Sequence, residues 1–498
     1  MLDNLVVGFG LVLTWQNFIA IIVGAIAGYA AGALPGLSAG MSIALLLPFT
    51  FTMEPLTSLV LLTALYAAAE YGGSITAITI NVPGEAGSAP TCFDGYPLTK
   101  KGFPAKALGI SIISSLFAGL FSTIMLILIS VPIAKVAIKF GPPEYFALGI
   151  FGLSMVASLG GKSWIKGFIA VGFGLMLTTI GIDPVSGSSR YVFSMNLFEG
   201  IPLIPVLVGL FAISEVFATM EEMGEGDLPH VKVSGSLPTW KEIFDAKMAM
   251  LRGAVIGFIV GVIPGAGKAV ASFIAYGEQK RSSKNPELYG TGVLEGIAAP
   301  EAANVSVVGG ALVPLLALGI PGSAAGAILI GAFTIQGLQP GPLLFVKEPG
   351  LVYGIFAALL IGNLVMFLMG MFGIPVWTRV VTIPKKILTP IVLAMVIFAA
   401  YAESNNMFHM WLAIGFGFVG YLMRKYGFPV APAVLAVVLG EMIETAFRRS
   451  LIVSDGSMSI FLTRPMTLGI LLVSFASVGF QIYRGMKNKK VKTAAESA

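Results

Sequence analysis

Long apolar runs separated by short polar loops fill this chain from end to end. In the first half they lie near residues 17–34, 36–50, 55–70, 105–132, 144–160, 163–181 and 200–219. In the second half they lie near 250–263, 266–276, 303–320, 323–338, 351–374, 387–402, 408–423 and 429–445, and a last one covers 466–483. A helix needs about 20 apolar residues to cross a bilayer. Several runs are shorter, so the pattern predicts full spans mixed with half-helices or re-entrant hairpins, roughly a dozen in all. The fold class expected is an all-α polytopic membrane protein.

Four Pro-Gly pairs interrupt these runs: Pro35-Gly36, Pro83-Gly84, Pro264-Gly265 and Pro321-Gly322. Proline removes a backbone donor and clashes with the preceding turn. In lipid such a break survives only where it is buried in protein or lines a cavity. Broken helices at matching places in two halves point to a transporter's binding site.

The halves do match. Residues 24–39 read GAIAGYAAGALPGLSA and residues 253–268 read GAVIGFIVGVIPGAGK, with six of sixteen positions identical. A second break follows 48 residues after Pro35 and 57 residues after Pro264. Loop charge sets the relative orientation. Lys100, Lys101 and Lys106 follow the second break of the first half, whereas Gln339-Pro340-Gly341-Pro342 stands at the matching place of the second. Lysine marks the cytoplasmic side, so two inverted structural repeats are expected. Lys162, Lys166, Arg424 and Lys425 agree with this scheme, while Lys135, Lys139, Arg448 and Arg449 fall on the opposite side. The expected organisation is a first repeat over 1–220, a polar cytoplasmic linker over 221–247, a second repeat over 248–450, and an extra helix with a basic tail over 451–498. Arg484, Lys487, Lys489, Lys490 and Lys492 place the C-terminus in the cytoplasm.

Composition narrows the class. Of 498 residues, 56% are hydrophobic and 11% charged, and the mean hydropathy is +0.91. A soluble domain carries about 25% charge. Residues 1–34 lead into a first span without a basic start, unlike a cleaved leader. Cys92 is the one cysteine, and His230 and His409 are the two histidines. An intrachain disulfide is excluded, and a Cys/His metal cluster is not expected. Without a Walker-type phosphate loop, ATP-driven transport by this chain is not expected either.

The candidate chemistry gathers at the breaks. Helices starting beyond Pro-Gly would direct free N–H groups and positive dipole toward an anion. Asn81, Gly84 and Ser88 lie in one small, polar segment, and Glu70-Tyr71-Gly72-Gly73-Ser74 upstream adds a carboxylate and a glycine pair read as a hinge or a helix end. Glu301 and Asn304, three residues apart, would share a helix face. Intramembrane ionisable residues are functional candidates by default, although Glu301 is equally placed to cap a neighbouring helix. Lys268 follows Pro264-Gly265-Ala266-Gly267, and three fates are open to it: pairing with a substrate carboxylate, pairing with Glu301, or snorkelling to the interface. Gly36-Leu37-Ser38-Ala39-Gly40 matches the G-x-S-x-G elbow, but it lacks the strand-turn-helix context and a histidine partner. No enzyme is expected.

Longer motifs resemble the large permease subunit of the tripartite tricarboxylate transporter family, over nearly the whole chain. They are Ala33-Leu34-Pro35-Gly36, Asn81-Val82-Pro83-Gly84-Glu85-Ala86 with Phe93-Asp94-Gly95-Tyr96-Pro97, and Lys100-Lys101-Gly102. In the second half they are Ala271-Ser272-Phe273 with Tyr276, Ala298-Ala299-Pro300-Glu301 with Asn304, Gly309 to Pro314, and Leu318 to Ser323. The resemblance implies a multi-pass permease of the bacterial inner membrane. It would import a small organic acid, citrate by default, by symport with sodium or protons and with no other cofactor. Its partners would be an extracytoplasmic binding protein and a small four-helix membrane subunit. Two departures stand near the breaks: Val305 replaces a usual second asparagine, and Lys268 a usual small or neutral residue. The expected substrate site comprises Pro35, Gly36, Ser38, Asn81, Pro83, Gly84, Ser88, Pro264, Gly265, Gly267, Lys268, Asn304, Pro321, Gly322 and Ser323. Sodium would sit near Gly36, Asn81, Gly265 and Gly319. The rival readings are an ion-uncoupled organic-anion channel and an intramembrane hydrolase using Ser38, or Glu70 with Glu301.

Overall fold

The structure, a computed structural model, describes residues 2–34, 37–157, 163–183, 186–221, 236–265, 267–380, 385–402 and 406–479. Along the chain run α1 (Leu2–Val12), α2 (Trp15–Gly32), α3 (Ala39–Leu46), α4 (Pro55–Ile80), α5 (Cys92–Lys100) and α6 (Pro104–Ala137). Next come α7 (Pro142–Ala157), α8 (Trp164–Thr178), α9 (Leu203–Leu207), a π-helical turn (Val208–Ile213) and α10 (Ser214–Glu221). After them come α11 (Trp240–Asp245), α12 (Lys247–Val262), α13 (Lys268–Arg281), α14 (Leu294–Leu318), α15 (Ala324–Ile335) and α16 (Leu344–Lys347). The described chain closes with α17 (Pro349–Val380), α18 (Lys385–Ala402), α19 (Met407–Lys425), α20 (Val430–Val453), α21 (Ile460–Thr463) and an apolar helix over Pro465–Gly479. Among the described residues, the strands are two short segments, Gly181–Ile182 and Ser189–Arg190, paired antiparallel. Among the described residues, seven helical stretches are long and apolar enough to cross a membrane: α2, α4, α6, Leu203–Glu221, α14, α17 and α20. The chain is a multi-pass, all-α membrane protein.

It divides into two compact units, each assembled from both halves of the sequence. One comprises Met1–Ala134 with Glu215–Glu403, the other Lys135–Ser214 with Ser404–Ala498.

In the first unit α4 and α14 are enclosed on all sides, which lets them carry polar residues away from lipid. Each is gripped by a glycine-lined helix. On α2, a Cβ at Gly24, Gly28 or Gly32 would lie 2.3–2.4 Å from the carbonyl oxygens of Leu61, Leu65 and Ala69. On α12, a Cβ at Gly253, Gly257 or Gly261 would lie 2.2–2.7 Å from those of Ala299, Ala303 and Val307. Glycines every four residues on one face allow this backbone approach, the small-xxx-small packing common in membranes. These six glycines are among those the sequence repeat aligns.

The ends of α4 and α14 are built alike. Asn81 (φ 59°) and Gly319 (φ 73°) close them in left-handed conformation. The N–H groups of Val82 and Ile320 then reach back six residues to the carbonyls of Thr76 and Pro314, a Schellman-type cap. Pro83 and Pro321 follow and bar continuation. One expectation is corrected here. The run expected to end near residue 70 continues to Ile80, so Gly72 and Gly73 are neither hinge nor helix end. They lie inside α4 because a Cβ would strike Gly32 and Glu85 respectively.

Part of the expected linker, Glu222, Glu225, Asp227, His230 and Lys232, lies outside the described residues, as do Lys162, Pro184, Ser404, Asn405 and the basic tail from Arg484. The linker's described end carries α11, opened by a capping box between Thr239 and Glu242. Lys106 donates to Glu242 at 2.7 Å. That hydrogen bond, aided by those from Thr239, lowers the Glu242 carboxyl to about 2.

In the second unit α8 and α20 meet where Gly174 faces the Ala433 carbonyl. Asp183, Arg190, Glu444 and Arg448 form one network, with Arg190 to Glu444 and Arg448 to Asp183 both at 2.6 Å. Arg448 therefore has a local reason for its position, independent of the cytoplasmic bias of loop cations.

Candidate functional site

Around the Pro83-Gly84 break, three charged side chains and one amide meet inside the first unit. Lys268 opens α13, with Gly267 (φ 78°) as its N-cap. A cation at a helix N-terminus is disfavoured by the helix dipole, and two carboxylates compensate. The Lys268 ammonium donates to both Glu70 oxygens at 2.7 Å and to Glu85 Oε2 at 2.6 Å. Glu70 comes from the middle of α4 and Glu85 from just beyond the break. The other oxygen of Glu85 accepts from the Ala39 N–H, the first of α3. Both carboxylates are buried, whereas the lysine side chain is 22% exposed.

Lys268 thus pairs with neither Glu301 nor the interface. Glu301, fully buried on α14, instead accepts hydroxyls from Ser74 (2.6 Å), Ser111 (2.9 Å) and Thr91. It caps no helix. One turn on, the Asn304 amide donates to the Glu70 carbonyl at 3.0 Å. The Asn304 Oδ1 is buried without a hydrogen-bond partner.

The other expected site residues fall into distinct roles. Pro35 and Gly36 lie outside the described residues. Ser38 caps α3 and Ser323 caps α15, accepting from Met41 and Gly326. The hydroxyls of Ser323 and Tyr66 stand 3.2 Å apart. Asn81 is the left-handed cap of α4 and is exposed beside Pro83. The N–H groups of Gly84 and Gly265, expected to hold a carboxylate, are committed instead to the carbonyls of Gly73 (3.1 Å) and Gly322 (3.3 Å). These bonds follow from burial, which leaves backbone donors no water to fall back on. Ser88 is likewise closed off, donating to the carbonyls of Gly73 and Glu85. Pro264, Pro321 and Gly322 are buried at their breaks, and a Cβ at Gly322 would lie 2.8 Å from the Ala311 Cα. Of the expected set, Lys268 and Asn304 are the two whose side chains converge on the charged cluster. No group of three or more His, Cys, Asp or Glu suited to a metal occurs among the described residues.

Sequence reasoning left out Glu85 and gave Asp94 no role. Asp94, on α5, is fully buried and accepts from the N–H groups of Gly290, Gly292 and Val293 at 2.8–2.9 Å and from the Tyr276 hydroxyl at 3.0 Å. Val293 caps α14 without a side-chain acceptor of its own, so Asp94 supplies the missing cap from the other half of the sequence. Its signal was a lone acidic residue in the Phe93-Asp94-Gly95 motif. Gly296, where a Cβ would lie 2.2 Å from Asp94 Oδ2, is its counterpart.

A model of the family described as "Tripartite tricarboxylate transporter TctA family" matches residues 18–435. An Agrobacterium vitis protein described as "Uncharacterized 52.8 kDa protein in TAR-I ttuC' 3'region" is 37% identical over 497 residues, covering 100% of this chain and 99% of that protein. A second, from the TAR-II ttuC' 3' region of the same organism, is 35% identical over 240 residues, 48% of this chain and 99% of its own length. Among solved structures, the Eremococcus coleocola manganese transporter in complex with an aromatic bis-isothiourea substituted compound is 15% identical and covers 95% of this chain and 96% of its own. Its TM-score of 0.14 carries no fold argument.

Proposed function

The chain belongs to the TctA family of tripartite tricarboxylate transporters, a transporter family and not an enzyme family, and on that premise we propose that it is the permease of a secondary system importing small organic di- or tricarboxylates. The observation that carries this reading is Lys268. It is an ammonium held between two buried carboxylates beside a broken helix of a multi-pass membrane protein, with its side chain 22% exposed, and it supplies a cation for an organic carboxylate.

Two inverted repeats and roughly twelve spans, several of them re-entrant, complete the proposed architecture. The matched glycine faces of α2 and α12 and the like ends of α4 and α14 support it. Alternating access moves the broken helices against the remaining ones. An extracytoplasmic binding protein delivers the acid, a small four-helix subunit completes the membrane part, and a sodium or proton gradient drives uptake. The permease lies in a bacterial inner membrane with its C-terminus in the cytoplasm.

The test is uptake of radiolabelled citrate, succinate, malate and tartrate into proteoliposomes holding this chain with its small membrane partner and binding protein. Accumulation that requires a cation gradient is expected for at least one acid. Equilibration that ignores every gradient identifies a channel instead.

A further inference from the structure

Lys268 occupies a place that a free cation suits. Its three N–H donors are all satisfied, two by Glu70 and one by Glu85. Removing the ammonium would leave two buried carboxylates facing each other with no positive charge between them. Beside them lies the Asn304 Oδ1, fully buried and lacking any donor. A buried acceptor without a donor is costly, and Asn304 is held in this pose by the hydrogen bond its Nδ2 donates to the Glu70 carbonyl. Asn304 Oδ1 and the lysine stem border the same glycine, Gly87. A Cβ on Gly87 would lie 1.8 Å from Asn304 Oδ1 and 3.3 Å from Lys268 Cγ. Two carboxylates and an unpartnered amide oxygen are hard oxygen donors, the kind that suits hard metal cations.

The lysine's position makes it displaceable. It stands at the N-terminus of α13, where the dipole favours an anion, and its side chain is 22% exposed, unlike those of its two carboxylate partners. An organic acid arriving there gains the ammonium and the helix end together. Once the ammonium turns to that carboxylate, Glu70 and Glu85 lose their counter-ion.

We propose that Lys268 is a tethered counter-ion that fills a sodium site formed by Glu70, Glu85 and Asn304, and cedes that site to sodium when a substrate carboxylate draws its ammonium away. The proposal rests on the transport reading above and deepens it. It makes sodium binding conditional on substrate, so an empty carrier takes up no sodium at this site.

The test uses the purified full chain in detergent, in mildly alkaline buffer with no organic acid. Unfolding temperatures are compared in sodium chloride and in N-methylglucamine chloride of equal ionic strength. Wild-type protein should show no sodium effect. Lys268→Met should unfold lower without sodium and rise by about 3 °C or more with it. Adding Asn304→Ala to Lys268→Met should remove most of that rise. A sodium shift in the wild-type protein as large as in the variant overturns the proposal. So does a variant that ignores sodium or is stabilised by acid alone, since unpaired carboxylates take up protons whatever their role. Should Lys268→Met not fold, Lys268→Gln takes its place, and the wild-type arm stands by itself. No organic acid enters this measurement, so failure of the uptake assay leaves its result intact.

Discussion

The breaks at Pro83-Gly84 and Pro321-Gly322 share a backbone and differ in chemistry. Each ends a buried helix in a left-handed residue, Asn81 or Gly319, followed by the same six-residue hydrogen bond. Each seats its second glycine against the preceding helix, at Gly73 or Ala311. Matching residues then diverge: Glu85 faces Ser323, Glu70 faces Val308, and Ala39 faces Lys268. One break gathers three charges, and the other carries a hydroxyl pair, Tyr66 with Ser323. The repeated backbone solves the problem of ending a helix inside a membrane protein. The chemistry is one-sided, and the departure from internal symmetry marks where the site lies.

The comparison is broken most strongly by removing one charge. Glu85→Ala leaves Lys268 with a single carboxylate and the Ala39 N–H unpaired. It should cost about 3–5 kcal/mol in unfolding free energy and abolish uptake. Its counterpart Ser323→Ala loses a cap and should cost about 1 kcal/mol with uptake retained. Equal losses in parallel unfolding and uptake assays would erase the proposed asymmetry. Next come the shared backbone positions. Gly28→Val and Gly257→Val each drive a side chain into a facing carbonyl and should each cost about 1–3 kcal/mol, in equal measure. A much milder effect at one of them would show that the two helix pairs are not equivalent.

Asn81 sharpens the comparison further. If it serves as a cap, Asn81→Gly should leave both uptake and stability within about 0.5 kcal/mol of wild type, because glycine adopts the same left-handed conformation. Asn81→Ala should cost about 1 kcal/mol. Loss of uptake in a stable Asn81→Gly protein would restore the side chain as a ligand. The smallest effect lies away from both breaks. Glu242 has its carboxyl lowered from 4.5 to about 2 by Lys106 and Thr239. Its stabilisation is therefore full above pH 4.5 and is lost as the pH falls toward 2. Lys106→Met should remove that dependence from an acid-unfolding curve, at about 1 kcal/mol or less because the pair is partly solvated.

The breaks after α4 and α14 and the matched glycines were legible in the sequence, because proline and glycine act on the backbone within a few residues. The roles around the breaks were less so. Ser88, Gly84 and Gly265 looked like free polar groups in an apolar run, yet burial turns such groups toward the nearest carbonyl. The Glu70–Lys268–Glu85 cluster joins residues up to 198 positions apart, a meeting that no local pattern encodes. The Gly72-Gly73 pair resembled a hinge because glycine is flexible in isolation. In the folded unit its value is thinness, which admits Gly32 on one side and Glu85 on the other.

The Asp94 clamp has a consequence for how the chain is made. Its first backbone partner, Gly290, lies 196 residues later. A ribosome adds roughly 5–20 residues per second, so a newly inserted first half waits on the order of ten to forty seconds with this carboxylate uncapped. It stays an unfinished assembly until the second half threads in. Two separately encoded fragments, cut between α10 and α11, should therefore survive in cells when produced together and be degraded when either is produced alone.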